Sequence, residues 1–183
     1  MEAAERRKYW LFGALAMVSA LLDQVSKVWA RARLPAFGRT GMPVWDRKLV
    51  MVYAENPGIA FSQLQGVQGG RVLLSLVSLV ALVLVARYLH KTPASRPAMI
   101  ASLGLISGGA IGNVVDRIWR GHVTDFVMVD LGFWPLNPWP VFNVADIVLV
   151  VGVGLIALDV LLSRRTAGGA RSTPSGSGGA PTS

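Results

Sequence analysis

Hydrophobic positions along this chain come in long blocks rather than in short alternations. Four blocks stand out: Trp10–Trp29, Val72–Leu89, Ala98–Trp119 and Val144–Leu162. Each approaches or reaches the length of about 20 residues that an α-helix needs to cross a bilayer. The pattern predicts an all-α integral membrane protein with four transmembrane helices. Arg6, Arg7 and Lys8 precede the first block, as they would in a signal peptide. That block is long enough to span, no small-residue cleavage site closes it, and further spans follow, so it reads as a retained first helix. Trp10 and Trp29 stand where interfacial aromatics belong. The second block holds no acidic or amide side chain and reads as scaffold. The third contains Gly104, Gly108, Gly109 and Gly112, which let helices approach closely and place it centrally in the bundle.

Between the blocks, residues 31–70 form a polar connector punctuated by Pro35, Gly38, Gly41, Pro43, Pro57 and Gly58. Leu49–Tyr53 reads as a short strand. Asn56-Pro57-Gly58 is a turn signal, with Ile59-Ala60-Phe61 returning as a second strand. Ser62–Gln68 reads as a short amphipathic helix on the membrane surface. The connector far exceeds the usual helix-bundle loop of about 2–8 residues, which suits a substrate-holding element. The second long loop, Arg120–Val141, is rich in aromatics and prolines and reads as a segment pressed against the bilayer interface. Residues 1–166 make a single membrane domain. Residues 167–183, rich in Gly, Ser, Pro and Thr, read as a disordered tail.

Composition agrees with this reading. The chain is 52% hydrophobic and 15% charged, with a mean hydropathy of +0.49, where soluble domains carry about 25% charged residues. The net charge of +8 fits Lys and Arg flanking lipid-embedded helices better than a nucleic-acid surface. The cations are almost evenly divided between the two membrane faces. Only the compact groups Arg6–Lys8 and Arg164–Arg165 favour cytoplasmic termini. Cysteine is absent, which excludes disulfides, zinc-thiolate sites and a Cys nucleophile, and a total of two histidines argues against a multi-His metal site. No cofactor and no metal is expected.

The candidate chemistry lies in Gly108–Asp146. Asn113, Asp116, Arg117, Asp125, Asn143 and Asp146 sit inside or beside apolar segments, where carboxylates are costly and tend to be functional. Four spans bring Asp23, Asp125 and Asp146 to one face of the membrane. Asp23 and Lys27 share a helix face at i,i+4 and read equally as an interfacial pair or as buried groups near a site. Arg117 is placed to pair with Asp116. Asn143 and Asp146 have the spacing of an N-cap and its third helical residue, and capping explains Asn143 well. It does not explain Asp125, a lone carboxylate within Val-Thr-Asp-Phe-Val. Two buried carboxylates can share one proton; the ionised member then deprotonates a water while the protonated member polarises a carbonyl. Such a dyad needs no Cys, Ser, His or metal.

Five blocks, in order, carry a family resemblance: Asp23-Gln24 with Lys27; Asn56-Pro57-Gly58-Ile59-Ala60-Phe61; Gly112-Asn113-Val114-Val115-Asp116-Arg117; Val123-Thr124-Asp125-Phe126; and Phe142-Asn143-Val144-Ala145-Asp146. The chain resembles the lipoprotein signal peptidases (signal peptidase II), bacterial membrane aspartic proteases, over about residues 10–163. The resemblance implies Asp125 and Asp146 as the catalytic dyad. It implies supporting roles for Asp23, Lys27, Asn56, Gly58, Asn113, Asp116, Arg117 and Asn143. It also implies a diacylglyceryl-modified prolipoprotein substrate cleaved just before the lipidated Cys, sensitivity to globomycin-type cyclic peptides, and residence in the bacterial cytoplasmic membrane with the site near the extracytoplasmic face. The expected partners are that substrate and membrane lipid, with no nucleic acid, and the expected assembly is a monomer. A small transporter or channel subunit using the acidic residues as an ion path is the alternative, and a non-catalytic scaffold a third reading. Asp125 in a loop and the absence of an inverted repeat speak against transport.

Overall fold

The computed structural model describes residues 2–46, 48–58, 70–132 and 139–169. Four helices, α1 (Ala3–Arg33), α2 (Gly70–Lys91), α3 (Pro97–Arg120) and α4 (Val144–Gly169), are long and apolar enough to cross a membrane. All four run past the limits read from hydropathy, because polar residues continue the helix beyond the apolar block. On α1, exposed Trp10 and Trp29 lie about 28 Å apart along the axis at about 1.5 Å per residue, close to the thickness of a hydrocarbon core of about 30 Å. Val72, Leu76, Val80 and Leu84 of α2 are likewise exposed, as lipid-facing side chains must be. Helix α4 continues to Gly169, past the expected domain limit at residue 166.

Helix α3 is the most buried of the four and packs mainly on α1 and α4. Its glycines make this possible. A Cβ on Gly108 would stand 2.5 Å from Ser19 Cβ and 2.6 Å from Ala16 O of α1. One on Gly109 would stand 2.5 Å from Ala145 O and 2.8 Å from Leu149 Cγ of α4. These positions sit on the two flanks of one helix, so only the smallest residue lets both neighbours come this close.

Beyond one end of the bundle stands a three-stranded antiparallel sheet, ordered β1 (Met42–Trp45), β2 (Leu49–Asn56), β3 (Val123–Val129). A 3₁₀ segment, Leu34–Thr40, kinked at Gly38 where φ is +57°, leads into it from α1. Strand β2 is the expected strand, longer by three residues. Strand β3 corrects the reading of Arg120–Val141 as an interfacial loop, so Asp125 is a strand residue. The expected return strand Ile59–Phe61 and the expected helix Ser62–Gln68 lie outside the described residues. Phe126 packs with Ala30 and Leu34, which fastens the sheet to the end of α1. Gly121, at φ +85°, caps α3 in the left-handed conformation with its N–H on Arg117 O, and the chain turns from α3 directly into β3.

Candidate active site

The sheet and the helix ends bring the polar residues together. Antiparallel pairing of β2 with β3 sets Ala54 opposite Asp125 and Asn56 opposite Val123. On the other edge of β3, Val127 forms a bridge with Phe142, whose carbonyl accepts the N–H groups of Phe126 and Val127 at 3.0 and 2.8 Å. This pairing lays the segment before α4 along β3 and delivers Asn143 beside Asp125. Asn56 Nδ2 donates to Asp125 Oδ2 at 2.9 Å, and Asn143 Nδ2 donates to Asp125 Oδ1 at 2.6 Å. Gly58 N–H holds Asn56 Oδ1 at 2.9 Å from the turn.

Asn143 also opens α4. Its Oδ1 accepts the Asp146 N–H at 3.2 Å, and its own N–H donates to Asp146 Oδ2 at 3.1 Å. This reciprocal pair is a capping box with Asp in the third position, as the spacing predicts. Capping is nevertheless only part of the role of Asn143. Fully buried, it grips Asp125 and also donates to Asn113 Oδ1 at 3.2 Å. Both carboxylates therefore bind one asparagine. Asn113 Nδ2 completes the link by donating to Asp146 Oδ1 at 3.1 Å.

Behind this pair lies a buried ionic network. Asp23 and Lys27 have no solvent exposure, which settles the interfacial-or-buried alternative in favour of burial. Lys27 Nζ stands 2.8 Å from Asp23 Oδ2, 3.5 Å from Asp116 Oδ2 and 2.8 Å from Asn113 Oδ1. By holding the Asn113 carbonyl oxygen, it turns the Asn113 amide toward Asp146. Asp23 Oδ1 accepts the Ala145 N–H at 2.9 Å, next to Asp146 on α4. A buried charge without partners costs several kcal/mol, so each member of this set stabilises the others.

Asp116 is not the partner expected for Arg117. Its Oδ2 accepts the Thr124 N–H at 2.9 Å, and its Oδ1 lies 3.4 Å from Arg31 Nη1. Arg117 makes no ion pair with it. Arg117 is half-buried, touches Asn113 O at 3.5 Å, and lies in the field of Asp146 and Asp125, with a weaker influence from Asp116. The reason is directional: one residue further round the helix points Arg117 away from the α1 side that Asp116 faces.

Sequence reading gave no role to Arg31, nor to Thr124 and Gln24, which stand inside the blocks that carry the resemblance. Arg31 Nη1 also donates to Thr124 Oγ1 at 3.0 Å, tying β3 to α1 beside Asp125. Gln24 Nε2 bridges Asp23 Oδ2 and Gly112 O at 3.1 and 3.0 Å. Arg31 was within reach, since Asp23, Lys27 and Arg31 repeat every fourth residue along one helix face. Thr124 and Gln24 act through contacts set by tertiary packing.

Asp125 is 3% exposed, and burial pushes its carboxyl above the usual carboxylate range. The nearby Asp146 charge pushes the same way, while the bonds from Asn56 and Asn143 oppose the rise. Asp146 is partly exposed at the first turn of α4. The arrangement is one shielded carboxyl and one more accessible carboxylate, linked through shared amides. Among the described residues, no three His, Cys, Asp or Glu side chains are grouped to hold a metal ion.

A family model described as Signal peptidase (SPase) II matches residues 15–162. The lipoprotein signal peptidase of Chlorobaculum tepidum is 40% identical over 155 residues, covering 81% of this chain and 92% of that protein. That of Caulobacter vibrioides is 39% identical over 159 residues, covering 86% and 90%. A bacterial membrane enzyme solved by the in meso method at 1.9 Å superposes with a TM-score of 0.69 at 25% identity, over 81% of this chain and 90% of that one. The matched span takes in α2, α3, most of α1 and α4, the sheet and every polar residue of the site, and the relatives are covered almost end to end. The chain therefore belongs to the signal peptidase II family, the lipoprotein signal peptidases, which are membrane aspartic proteases that process prolipoproteins.

Proposed function

We propose that Asp125 and Asp146 are the catalytic dyad of this peptidase. The observation that carries the reading is Asn143, whose side-chain amide binds Asp125 while its backbone N–H binds Asp146. With Asp125 raised by burial and by the Asp146 charge, the pair is suited to hold one proton between them. In the proposed step the ionised carboxylate takes a proton from water, and the water oxygen bonds to the scissile carbonyl carbon. The protonated carboxyl gives its proton to the carbonyl oxygen. Collapse of the resulting gem-diol breaks the C–N bond: the departing amine takes the proton that came from water, and one hydroxyl returns its proton to the second carboxylate, which restores the dyad.

The remaining residues hold this pair in place. Asn56, itself fixed by Gly58, and Asn143 orient Asp125; Asn113, set by Lys27, orients Asp146. Asp23 secures Lys27 and the start of α4, and Asp116 secures β3 through Thr124. Arg117, near both carboxylates and without an ion pair among the described residues, is placed to meet a substrate carbonyl. The substrate we propose is a prolipoprotein whose Cys already carries diacylglycerol, cut just before that Cys. The site lies where helices give way to the sheet, so lipid chains remain in the bilayer while the peptide reaches the carboxylates. The proposed orientation has cytoplasmic termini and an extracytoplasmic site, in a monomer that globomycin-type cyclic peptides inhibit. This replaces the ion-path and scaffold readings, since the family is one of peptidases and Asp125 stands outside the spans. Purified protein in detergent should cleave a diacylglyceryl-modified precursor and leave the unmodified precursor intact. Equal cleavage of both would overturn the substrate assignment.

A further inference from the structure

The end of the bundle that carries the site also gathers cations where α1 and α3 meet. Asp116 Oδ1 lies 3.4 Å from Arg31 Nη1 and 4.0 Å from Arg120 Nε, while its other oxygen is taken by Thr124 N–H and Lys27. One carboxylate oxygen thus serves two guanidinium groups close enough for the Arg120 charge to act on Arg31. Cations at helix C-termini complement the helix dipole, which accounts for their presence there. It does not account for two of them converging on one saturated acceptor. Arg31 uses only Nη1, on Asp116 and Thr124, and Arg120 has no hydrogen bond to any described residue. Their remaining N–H groups are donors without a protein acceptor among the described residues. Glu55, on the neighbouring strand β2, is engaged by the Tyr53 hydroxyl at 2.7 Å and faces His122.

Depth and surroundings identify the occupant. The Arg31 side chain is 13% exposed and that of Arg120 is 44% exposed, so the pair opens outward. Trp29, two residues before Arg31, and Trp119, one before Arg120, are exposed together with Ile118. Exposed Trp beside Arg at a span end is the signature of the headgroup region. Guanidinium forks match phosphate oxygens in geometry and charge. We propose that Arg31 and Arg120 bind the phosphate of an anionic phospholipid headgroup in the leaflet around the site. The proposal stands apart from the catalytic reading, because its test measures lipid retention and not cleavage.

Full-length protein purified in detergent is titrated with phosphatidylglycerol or phosphatidylcholine, and bound lipid is counted by native mass spectrometry. We expect preferential retention of phosphatidylglycerol, weakened about fivefold in Arg120→Gln, the loss associated with one cation at a membrane surface. Arg31→Gln should weaken it similarly, and Arg7→Gln, at the opposite end of α1, should not. Arg120 makes no hydrogen bond to any described residue, so Arg120→Gln should fold, as its thermal unfolding will show. Equal retention of both lipids, equal weakening by Arg7→Gln, or displacement of phosphatidylglycerol by millimolar inorganic phosphate would each overturn the proposal.

Discussion

Asn143→Ala separates an asparagine that merely caps a helix from one that holds the site together. Loss of an N-cap costs about 1 kcal/mol. Alanine also removes the 2.6 Å bond to Asp125 Oδ1, buried and charge-assisted, a class of bond that contributes about 1.5–3 kcal/mol. Asn113 loses a 3.2 Å donor but keeps Lys27 at 2.8 Å, so little is added there. The sum is about 2.5–4 kcal/mol, well above a cap alone. Asn143→Ser divides the two contributions: serine caps as well as asparagine but is too short to reach Asp125. It should recover about 1 kcal/mol and leave the Asp125 defect in place. The defect has a second readout. The Asn143 bond favours ionised Asp125, so its loss moves the titration of Asp125 still further upward. Whichever member acts as base, the limb of the pH–rate profile that reports Asp125 should move to higher pH. Thermal unfolding in detergent and precursor cleavage across pH supply both measurements. If Asn143→Ala and Asn143→Ser lose the same small stability and keep the wild-type profile, Asn143 is only a cap and the linkage of the two carboxylates is wrong.

Three further outcomes follow from the same geometry. Lys27→Met strands Asp23 and Asp116 without their shared cation and should cost about 3–5 kcal/mol, seen as a large fall in unfolding temperature; an unchanged temperature would contradict the buried network. Gly112→Ala places a Cβ against Asp23 Oδ2 and 2.9 Å from its Cγ, and should cost about 1–3 kcal/mol, whereas Gly154→Ala, with nothing within 4 Å, should be neutral or stabilising. Reporter fusions after Gly41 and after Leu136 should both read as exported, and a cytoplasmic signal from either would refute the proposed orientation.

The helices and the polar residues of the site were legible because each has a local signature. Apolar blocks mark the spans, glycines mark the close-packed third helix, and a carboxylate inside Val-Thr-Asp-Phe-Val stands out by its cost. Strand β3 was not legible as a strand. Its partner β2 lies across two transmembrane helices, so no hairpin turn announces the pairing, and the aromatic, proline-rich residues after it dominate the segment. The role of Asn143 was half legible: the capping box is local, but the bond to Asp125 depends on the Val127–Phe142 bridge. The same limit hid the partner of Asp116. Its neighbour Arg117 is adjacent in sequence, yet the helix turns Asp116 toward α1, where Lys27 and Arg31 wait.

The central claim is that Asp125 and Asp146 act as one catalytic unit. Asp125→Asn and Asp146→Asn are nearly isosteric, so both variants should fold and unfold near the wild-type temperature. Cleavage of the diacylglyceryl-modified precursor by each purified single variant and by the double variant tests the claim most directly. Each single change should abolish most processing, and the double change should cost little more, as expected of residues that work as a unit. Near wild-type processing by either single variant would contradict the account.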